Sequence, residues 1–361
     1  MRDRNFQQLI FSLRFAVLFC LLVFSLQGCV TDSNGNPPPE TSTAATAEIV
    51  TGSTDTPQPS PTSSPELAVL VSSAEADPEQ KAALEVVLEE LALQDGMEFQ
   101  SVEDISQLEF NEALRIVSVL APDPGVTELA AVHPEVQFLG VGIPGLPITD
   151  NLSSIGADGE RPDRQGFLAG YLAAVISEDW RVGVISPIDT ASGQASRLGF
   201  INGAIFYCGL CRPVYPPFIQ YPQYAEIPSS AGEAEWQAAA DNLIANAVKT
   251  VYVYPGIGGD GLLNYLAQAG LNIIGGLPPA AGLKERWVAS IQPDLPAALR
   301  EIWPSLINGE GGKNLAIPII IDHQNEQLFS PGRQGLVDKL LSELSLDYID
   351  TGVDPLTGTL K

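Results

Sequence analysis

The chain carries few side chains of the kinds that perform acid–base or metal chemistry. Only two histidines, His133 and His323, occur among its 361 residues. Neither lies in a pattern with a nucleophile or further metal ligands, and the sequence has no G-x-S-x-G, H-E-x-x-H or P-loop motif. His323 follows Asp322 at the end of a predicted strand, whereas His133 ends a predicted helix and is expected to serve its last carbonyls. We therefore predict that the protein is not an enzyme and needs no metal ion or cofactor.

A glycine-rich segment from Gly256 to Gly261 has the spacing G-x-G-x-x-G. It follows a predicted strand and opens a predicted helix, which is the context of a dinucleotide-binding loop. That interpretation requires an acidic residue about 20 positions further on, and the nearest acid, Glu285, lies beyond another predicted strand. We predict instead a loop facing a different small ligand, because glycines let the backbone approach a ligand closely.

Cys208 and Cys211 form a C-x-x-C sequence after a predicted helix. In a cytosolic protein such a pair favours redox chemistry or half of a zinc site. In an oxidising compartment a small disulfide that fixes the turn is the expected state. We predict the disulfide, because the start of the chain indicates export.

The first 28 residues have the pattern of a secretory signal peptide. Arginines at positions 2, 4 and 14 precede an apolar run from Phe15 to Leu26 that is too short to span a bilayer, which argues against an uncleaved anchor. The next residues, Leu26-Gln27-Gly28-Cys29, resemble the bacterial lipobox, in which the cysteine is lipidated and begins the mature chain. The sequence predicts a lipoprotein held to the extracytoplasmic face of the cell membrane by acyl chains, such as palmitate, on Cys29.

Composition restricts the partners of the mature protein. The formal charge is −26, and removal of residues 1–28, with three arginines and one aspartate, makes it −28. Phosphate backbones repel such a protein, so nucleic acid is not an expected partner. After Cys29, residues 30–66 are rich in Pro, Ser and Thr, which predicts a disordered tether with a reach of roughly 35 Å.

From residue 67 to residue 361, short apolar runs alternate with helical patterns. Strands are predicted at 67–72, 115–120, 136–141, 181–186, 250–254, 271–274, 287–291 and 315–321. Helices are predicted at 81–93, 164–176, 194–206, 233–247, 262–269, 295–306 and 333–344. Continuously apolar strands are typical of parallel strands covered on both faces, so we predict an α/β fold with doubly wound, Rossmann-like sheets. The length predicts two lobes, lobe 1 at about 67–177 and 290–322 and lobe 2 at about 178–289 and 323–361.

The segment from Asp163 to Ala174 resembles the E-x-x-x-F-L-A-G-Y-L-A-A helix of the BMP (basic membrane protein) family. These substrate-binding lipoproteins include purine nucleoside receptors of ABC transporters. Three further segments resemble the family in the same order: the strand 181–185, the helix 199–204, and the strand with its glycine-rich loop at 251–261. The resemblance implies a type I periplasmic-binding-protein fold, in which two lobes close on a small solute about a hinge. It also implies a permease as partner and a monomeric receptor.

The chain departs from this family where ligands are bound. The segment Ser72–Asp77 lacks the aromatic residue that would stack on a nucleobase, and Gly142-Ile143-Pro144 replaces an aspartate expected to bind ribose hydroxyls. Ile274–Leu277 lacks an acid, and 289–293 lacks a lysine, at two further family positions. Nucleoside specificity is therefore not carried over from the family.

Ligands of open α/β sheets bind beyond the carboxyl ends of the strands. The loops at these ends give the predicted ligand-binding residues: Ser72, Ser73, Gly142, Ser186, Asp189, Gly256, Gly258, Gly259, Asp260, Gly276 and Asp322. An aromatic wall is expected from Tyr207, Tyr215, Tyr221, Tyr224 or Trp236. The leading hypothesis is a lipid-anchored receptor that delivers a small polar solute, such as a nucleoside, to an ABC transporter. The alternative is a surface sensor or partner-binding module of the same fold with a degenerate cleft.

Overall fold

Two six-stranded sheets form the framework of the structure, a computed structural model that describes residues 65–361. The first contains β1 (Leu67–Val71), β2 (Glu98–Val102), β3 (Leu114–Leu120), β4 (Gln137–Val141), β5 (Leu152–Ile155) and β11 (Asn314–Leu315). The second contains β6 (Val182–Pro187), β7 (Gln223–Ile227), β8 (Thr250–Val253), β9 (Asn272–Gly275), β10 (Trp287–Pro293) and β12 (Ile319–Asp322). Both sheets have the spatial order second, first, third, fourth, fifth, sixth strand. The predicted doubly wound α/β class is confirmed.

Helices cover both faces of each sheet: α1 (Pro78–Gln94), α2 (Val126–Val132), α3 (Pro162–Ile176), α4 (Ala191–Cys208), α5 (Glu233–Ala245), α6 (Gly259–Gln268), α7 (Leu295–Ile307) and α8 (Pro331–Ser345). On the first sheet, α1 and α7 bury their apolar faces on one side and α2 on the other. On the second, α3, α4 and α8 share one core, and α5 and α6 share the opposite one. Burial on both faces explains the continuously apolar strands. Within residues 65–361, no helix is long and apolar enough to cross a membrane.

Three strands were not predicted from the sequence. β2 and β7 are edge strands interrupted by polar residues, Glu98, Gln100 and Ser101 in β2 and Gln223 and Glu226 in β7, so neither has the pattern of an apolar run. β5 is only four residues long, and two of them are serines, although all four are buried. Edge strands lack a continuous apolar run because they need an apolar side chain only where they face the core.

Three short segments carry the chain between the lobes. The first, residues 156–161, joins β5 to α3; the second, at Asp294, joins β10 to α7; the third, residues 316–318, joins β11 to β12. The last two are hydrogen-bonded to each other, since the Asp294 backbone N–H donates to the Pro318 carbonyl at 2.8 Å. These crossovers lie where a hinge between lobes is expected.

The structure draws the lobe boundaries differently from the sequence. Residues 162–177 were assigned to lobe 1, but α3 packs in the core of the second sheet with Val184, Tyr252 and Ile274. Residues 290–293 and 319–322 were also assigned to lobe 1, and they belong to β10 and β12 of the second sheet. The predicted strand 315–321 is in fact two strands in different lobes, separated at Pro318, which has no N–H to donate to a ladder.

The most recognisable part of the sequence forms a close helix pair. Gly170 of α3 lies so near α4 that a Cβ atom would fall 2.0 Å from the Phe200 carbonyl oxygen, and Gly203 of α4 lies equally near α3, with 1.9 Å to the Phe167 oxygen. Gly166 and Gly199 make two further contacts of this kind. These glycines therefore permit close approach between two helices, α3 and α4.

Candidate functional site

A cleft of about 820 Å³ lies where the carboxyl ends of strands from both sheets meet the crossovers. Lobe 1 and the first crossover contribute Gln80, Ala83, Ala121, Val141, Gly142, Gly156, Asp158, Gly159 and Glu160. Lobe 2 and the other crossovers contribute Pro162, Gln165, Ala191, Ser192, Tyr254, Pro255, Gly276, Leu277, Ile291, Gln292, Pro293, Ile317, Pro355 and Leu356, and α7 of lobe 1 contributes Leu295 and Pro296. The volume suits a small organic molecule.

Carboxylates give the cleft its charge. Among the described residues that line it, Asp158 and Glu160 are acidic, and none is a lysine, arginine or histidine. Glu160 Oε1 accepts a hydrogen bond from Gln80 Nε2 at 2.6 Å, which joins α1 to the first crossover. The Gln165 side chain also donates to the Glu160 carbonyl at 2.9 Å. Two carboxylates without a basic partner in the cleft favour neutral or cationic ligands over anions.

Tyr254 supplies the aromatic surface of the cleft. It directly follows β8 and is partly buried. Burial raises the pKa of its hydroxyl; interaction with the Ser192 hydroxyl opposes this rise, and the Glu160 carboxylate adds to it. The hydroxyl therefore remains protonated at neutral pH, so it can donate a hydrogen bond to a ligand as well as accept one.

Two of the predicted ligand residues, Gly142 and Gly276, line the cleft. Gly142 has a φ of +67°, which few residues other than glycine adopt. A Cβ at Gly276 would lie 2.4 Å from Pro255 Cγ, so glycine keeps this loop against its neighbour. Both glycines follow central parallel strands of their sheets. Ligands of open α/β sheets bind beyond the carboxyl ends of such strands.

Two of the three predicted serines, Ser72 directly after β1 and Ser186 within β6, are buried away from the cleft surface. Both are 0% exposed, and neither hydroxyl has a hydrogen-bond partner among residues 65–361. Ser73 is partly exposed, and its hydroxyl accepts a hydrogen bond from the Glu75 backbone. None of the three lines the cleft.

The predicted glycine-rich ligand loop has a different role in this structure. Gly256, Gly258 and Gly259 have positive φ angles of 83°, 63° and 51°, so the tight turn before α6 explains these glycines. Asp260 is exposed in the first turn of α6, where a carboxylate suits the helix dipole. None of these four residues lines the cleft. The two residues directly before the loop, Tyr254 and Pro255, do line it.

Asp322 lies away from the cleft because its strand runs in the opposite direction. β12 is antiparallel to β10, and Asp322 pairs with Ser290, whereas Ile319 pairs with Pro293 at the cleft end. The prediction assumed a parallel strand, which would have placed Asp322 at the cleft. The His323 Nδ1 atom lies 3.5 Å from the Asp322 carboxylate. His133 stacks on Phe110, with the ring centroids 3.7 Å apart.

The remaining predicted carboxylate, Asp189, holds a loop. It accepts hydrogen bonds from the Ser229 hydroxyl at 2.8 Å and the Ser229 backbone N–H at 2.9 Å. These bonds hold the pKa of Asp189 below its ordinary value. The side chain thus joins the loops that follow β6 and β7, and it does not line the cleft.

This arrangement predicts that Asp189 stabilises the folded protein by an amount that decreases at acidic pH. Because the folded-state pKa is lowered, the stabilisation is present above the unfolded pKa of about 3.9 and is lost as pH falls through the folded value. We expect Asp189→Asn to lower the melting temperature at pH 6 and to have a smaller effect at pH 3, measured by circular dichroism. A difference that stays constant with pH would contradict this role.

Cys208, the last residue of α4, is joined to Cys211, with their Cα atoms 5.0 Å apart. This separation lies within the range that disulfides span. The oxidised state in solution stays a prediction, and the chain from residue 30 contains only these two cysteines. We expect the unfolded, unreduced chain to show no reaction with a thiol reagent, and two thiols after reduction. Two reactive thiols before reduction would contradict the disulfide.

Sequence reasoning missed most of the cleft. Gln80 and Ala83 lie on α1, and Asp158 and Glu160 lie in a crossover that follows an unpredicted strand. None of the five suggested wall aromatics lines the cleft, which uses Tyr254 instead. The position of Tyr254 directly after a buried central strand was the available signal.

No group of three or more His, Cys, Asp or Glu within residues 65–361 is placed to hold a metal ion.

Solved structures share this arrangement at low sequence identity. A solute-binding protein of an ABC transporter system from Conexibacter woesei is 17% identical, with a TM-score of 0.56 over 80% of this chain and 98% of that chain. One from Aeropyrum pernix is 12% identical, with a TM-score of 0.51 over 82% and 100%. The fold is that of a type I periplasmic binding protein. A transcriptional activator of the comK gene from Bacillus halodurans has it too, at 12% identity and a TM-score of 0.55 over 79% and 99%.

The type I periplasmic-binding fold is thus shared with proteins of more than one function. No family model matches the chain, and no curated protein matches it. The BMP resemblance therefore stays a prediction. The signal peptide at 1–28, Cys29 and most of the tether predicted at 30–66 lie outside the described residues.

Proposed function

We propose that this protein is an extracytoplasmic receptor that binds a small solute in the cleft and delivers it to an ABC transporter as a monomer. The supporting observation is the cleft itself, placed at the carboxyl ends of two similar sheets and bordered by all three crossovers. In this arrangement two lobes close on a ligand when a few hinge residues change conformation. Two proteins described as solute-binding proteins of ABC transporter systems have the same fold.

The lining of the cleft supports a neutral or amine-bearing polar ligand, which includes nucleosides. Gln80, Gln292 and Tyr254 offer donors and acceptors, and Asp158 and Glu160 offer acceptors only. Leucine, isoleucine and proline side chains supply the apolar part of the wall. A micromolar affinity needs about 8 kcal/mol, which a few hydrogen bonds and one apolar contact surface can provide.

A thermal-shift screen of unlipidated residues 30–361 tests this function. The panel holds nucleosides, sugars, amines and amides, with nucleotides and dicarboxylates as a matched anionic set. We expect a saturable rise in melting temperature with a neutral or cationic compound, because a ligand at 100 times its Kd stabilises the native state by about 2.7 kcal/mol. A rise only with anions would contradict the ligand class.

The second candidate function is a surface sensor or partner-binding module with a degenerate cleft. It is favoured by the departures from the BMP ligand contacts, such as Gly142 in place of an aspartate. The transcriptional activator from Bacillus halodurans shows that this fold also occurs outside transport. Melting curves that do not change with any compound of the panel would favour this second function.

Anchoring at Cys29 is the third part of the proposal. It is supported by the signal-peptide pattern and the lipobox-like sequence before Cys29. In a bacterial host fed with labelled palmitate, the wild-type chain is expected to take up label and Cys29→Ser to take up none. Continued labelling of the variant would reject the anchor and leave the cleft proposal unaffected.

A further inference from the structure

One part of this acidic protein is free of acidic residues. From residue 190 to residue 225 the chain has no aspartate or glutamate, although it carries 44 acidic residues in 361. The same stretch contains the last turn of α4 and the loop that follows it. We call residues 205–218 the aromatic loop.

Large apolar side chains of the aromatic loop point into solvent. Leu210 and Tyr215 are each 71% exposed, Phe218 is 75% exposed, Val214 is 67% exposed and Phe206 is 56% exposed. A single exposed apolar residue is ordinary, but a group of five within thirteen positions is a feature of interaction surfaces. Arg212 is the only charged residue among them.

The backbone of the aromatic loop is held in place by polar contacts. The Arg181 guanidinium donates to the carbonyls of Tyr215 at 2.8 Å and Pro216 at 3.1 Å. The Asp179 carboxylate, itself paired with Arg181, accepts from the Val214 backbone N–H. The exposed side chains are therefore presented by a fixed backbone.

One buried residue within the loop and one after it add to this support. Cys211 is 1% exposed and bonded to Cys208, and Tyr221 is 2% exposed. The Tyr221 hydroxyl donates to the Asn246 carbonyl at 2.6 Å.

The aromatic loop lies at the end of lobe 2 that is remote from the cleft. Arg181, which holds it, directly precedes β6, so the aromatic loop sits at the amino ends of the parallel strands. The cleft lies at their carboxyl ends, and no residue of the aromatic loop lines it. Binding of a solute in the cleft does not explain the exposed side chains.

We propose that the aromatic loop binds a lipid bilayer by inserting its apolar side chains into the headgroup region. Tyrosine and phenylalanine are favoured at that depth, and exposed Leu and Val side chains gain from leaving water. A carboxylate would oppose insertion, and the aromatic loop has none. A second copy of the chain is a poorer occupant, because two bodies with a formal charge of −28 each, counted without residues 1–28, repel one another.

The predicted lipidated tether would favour membrane contact by the aromatic loop, but the loop does not need it to bind a bilayer. A lipid on Cys29 would keep the body near a membrane, and the resulting high local concentration would make a weak second contact effective. Because binding is expected from the aromatic loop alone, membrane binding is tested with a chain that carries no lipid.

The test measures flotation of unlipidated residues 30–361 with phosphatidylcholine vesicles. We expect the wild-type chain to float with the vesicles at physiological salt. The double variant Leu210→Glu and Phe218→Glu should lose about tenfold or more in partitioning, since two apolar side chains are replaced by charges. The matched control is Val86→Glu with Leu93→Glu on α1, where the wild-type side chains are 67% and 65% exposed. This control should float like the wild type.

A second readout shows whether the loop itself enters the lipid. Phe218→Trp should show a blue shift of tryptophan emission with vesicles, and Leu93→Trp should show none. Equal losses in both double variants, or absence of flotation by the wild type, would overturn the proposal. Binding only to anionic vesicles at low salt, or a concentration-dependent dimer that the loop variant abolishes, would overturn it in favour of charge attraction or self-association.

Discussion

Gly203→Ala is expected to lower the free energy of unfolding by about 3 kcal/mol or more, the upper part of the range for overpacked cores. The new Cβ would lie 1.9 Å from the Phe167 carbonyl oxygen, 2.7 Å from its carbon and 2.8 Å from its Cα. All three atoms belong to the backbone of α3, so no side-chain rotation can relieve the contact. The helices would have to separate, and the core between α3, α4 and the second sheet would open.

Gly335→Ala is the matched control for this change. Gly335 lies inside α8, its φ is not positive, and, apart from its chain neighbours and the backbone of its own helix, no atom of residues 65–361 lies within 4 Å of the site where a Cβ would stand. There alanine should leave stability unchanged or raise it by up to about 1 kcal/mol, because it favours the helix. Urea unfolding followed by circular dichroism measures both variants. If Gly203→Ala were as stable as Gly335→Ala, the close contact of the two helices would be wrong.

Ala83→Trp is expected to abolish solute binding while leaving the fold intact. Ala83 lies on α1, is exposed, and lines the cleft, so an indole there would occupy space that a ligand needs. The compound that raises the melting temperature of the wild-type chain should bind this variant at least about tenfold more weakly, a loss of about 1.4 kcal/mol or more. Isothermal titration calorimetry with that compound measures the change.

Ala82→Trp serves as the control, because the neighbouring residue is exposed on the same helix but does not line the cleft. Its affinity should equal that of the wild type, and both variants should keep their circular dichroism spectra. If Ala83→Trp bound the compound normally, the ligand would occupy another site. Equal losses in both variants would instead indicate a general effect on α1.

The fold class was readable from the sequence because parallel strands covered on both faces need apolar residues at every position. β3, β4 and β6 show this directly, as almost all their residues are buried. The helices other than α2 were predicted for a similar reason, since each carries apolar residues that pack in a core. The edge strands β2 and β7 escaped detection because half of such a strand faces water.

The candidate site was only partly predictable. Gly142 and Gly276 were found because both follow central parallel strands, where the rule about carboxyl ends holds. Asp322 was wrongly predicted to lie at the cleft because its strand was taken as parallel. The direction of β12 is set by its antiparallel pairing with β10, and the local sequence gives no sign of that pairing. Glu160 and Gln80, 80 residues apart, meet only in the folded chain.

The sequence by itself determined the layered α/β class and the acidic charge, because apolar patterning and composition are local properties. Only the tertiary structure decided what the glycines do. Gly166, Gly170, Gly199 and Gly203 hold two helices together, whereas the glycines at 256–259 form a turn. A glycine has no side chain, so its role depends entirely on the neighbours that the fold brings to it.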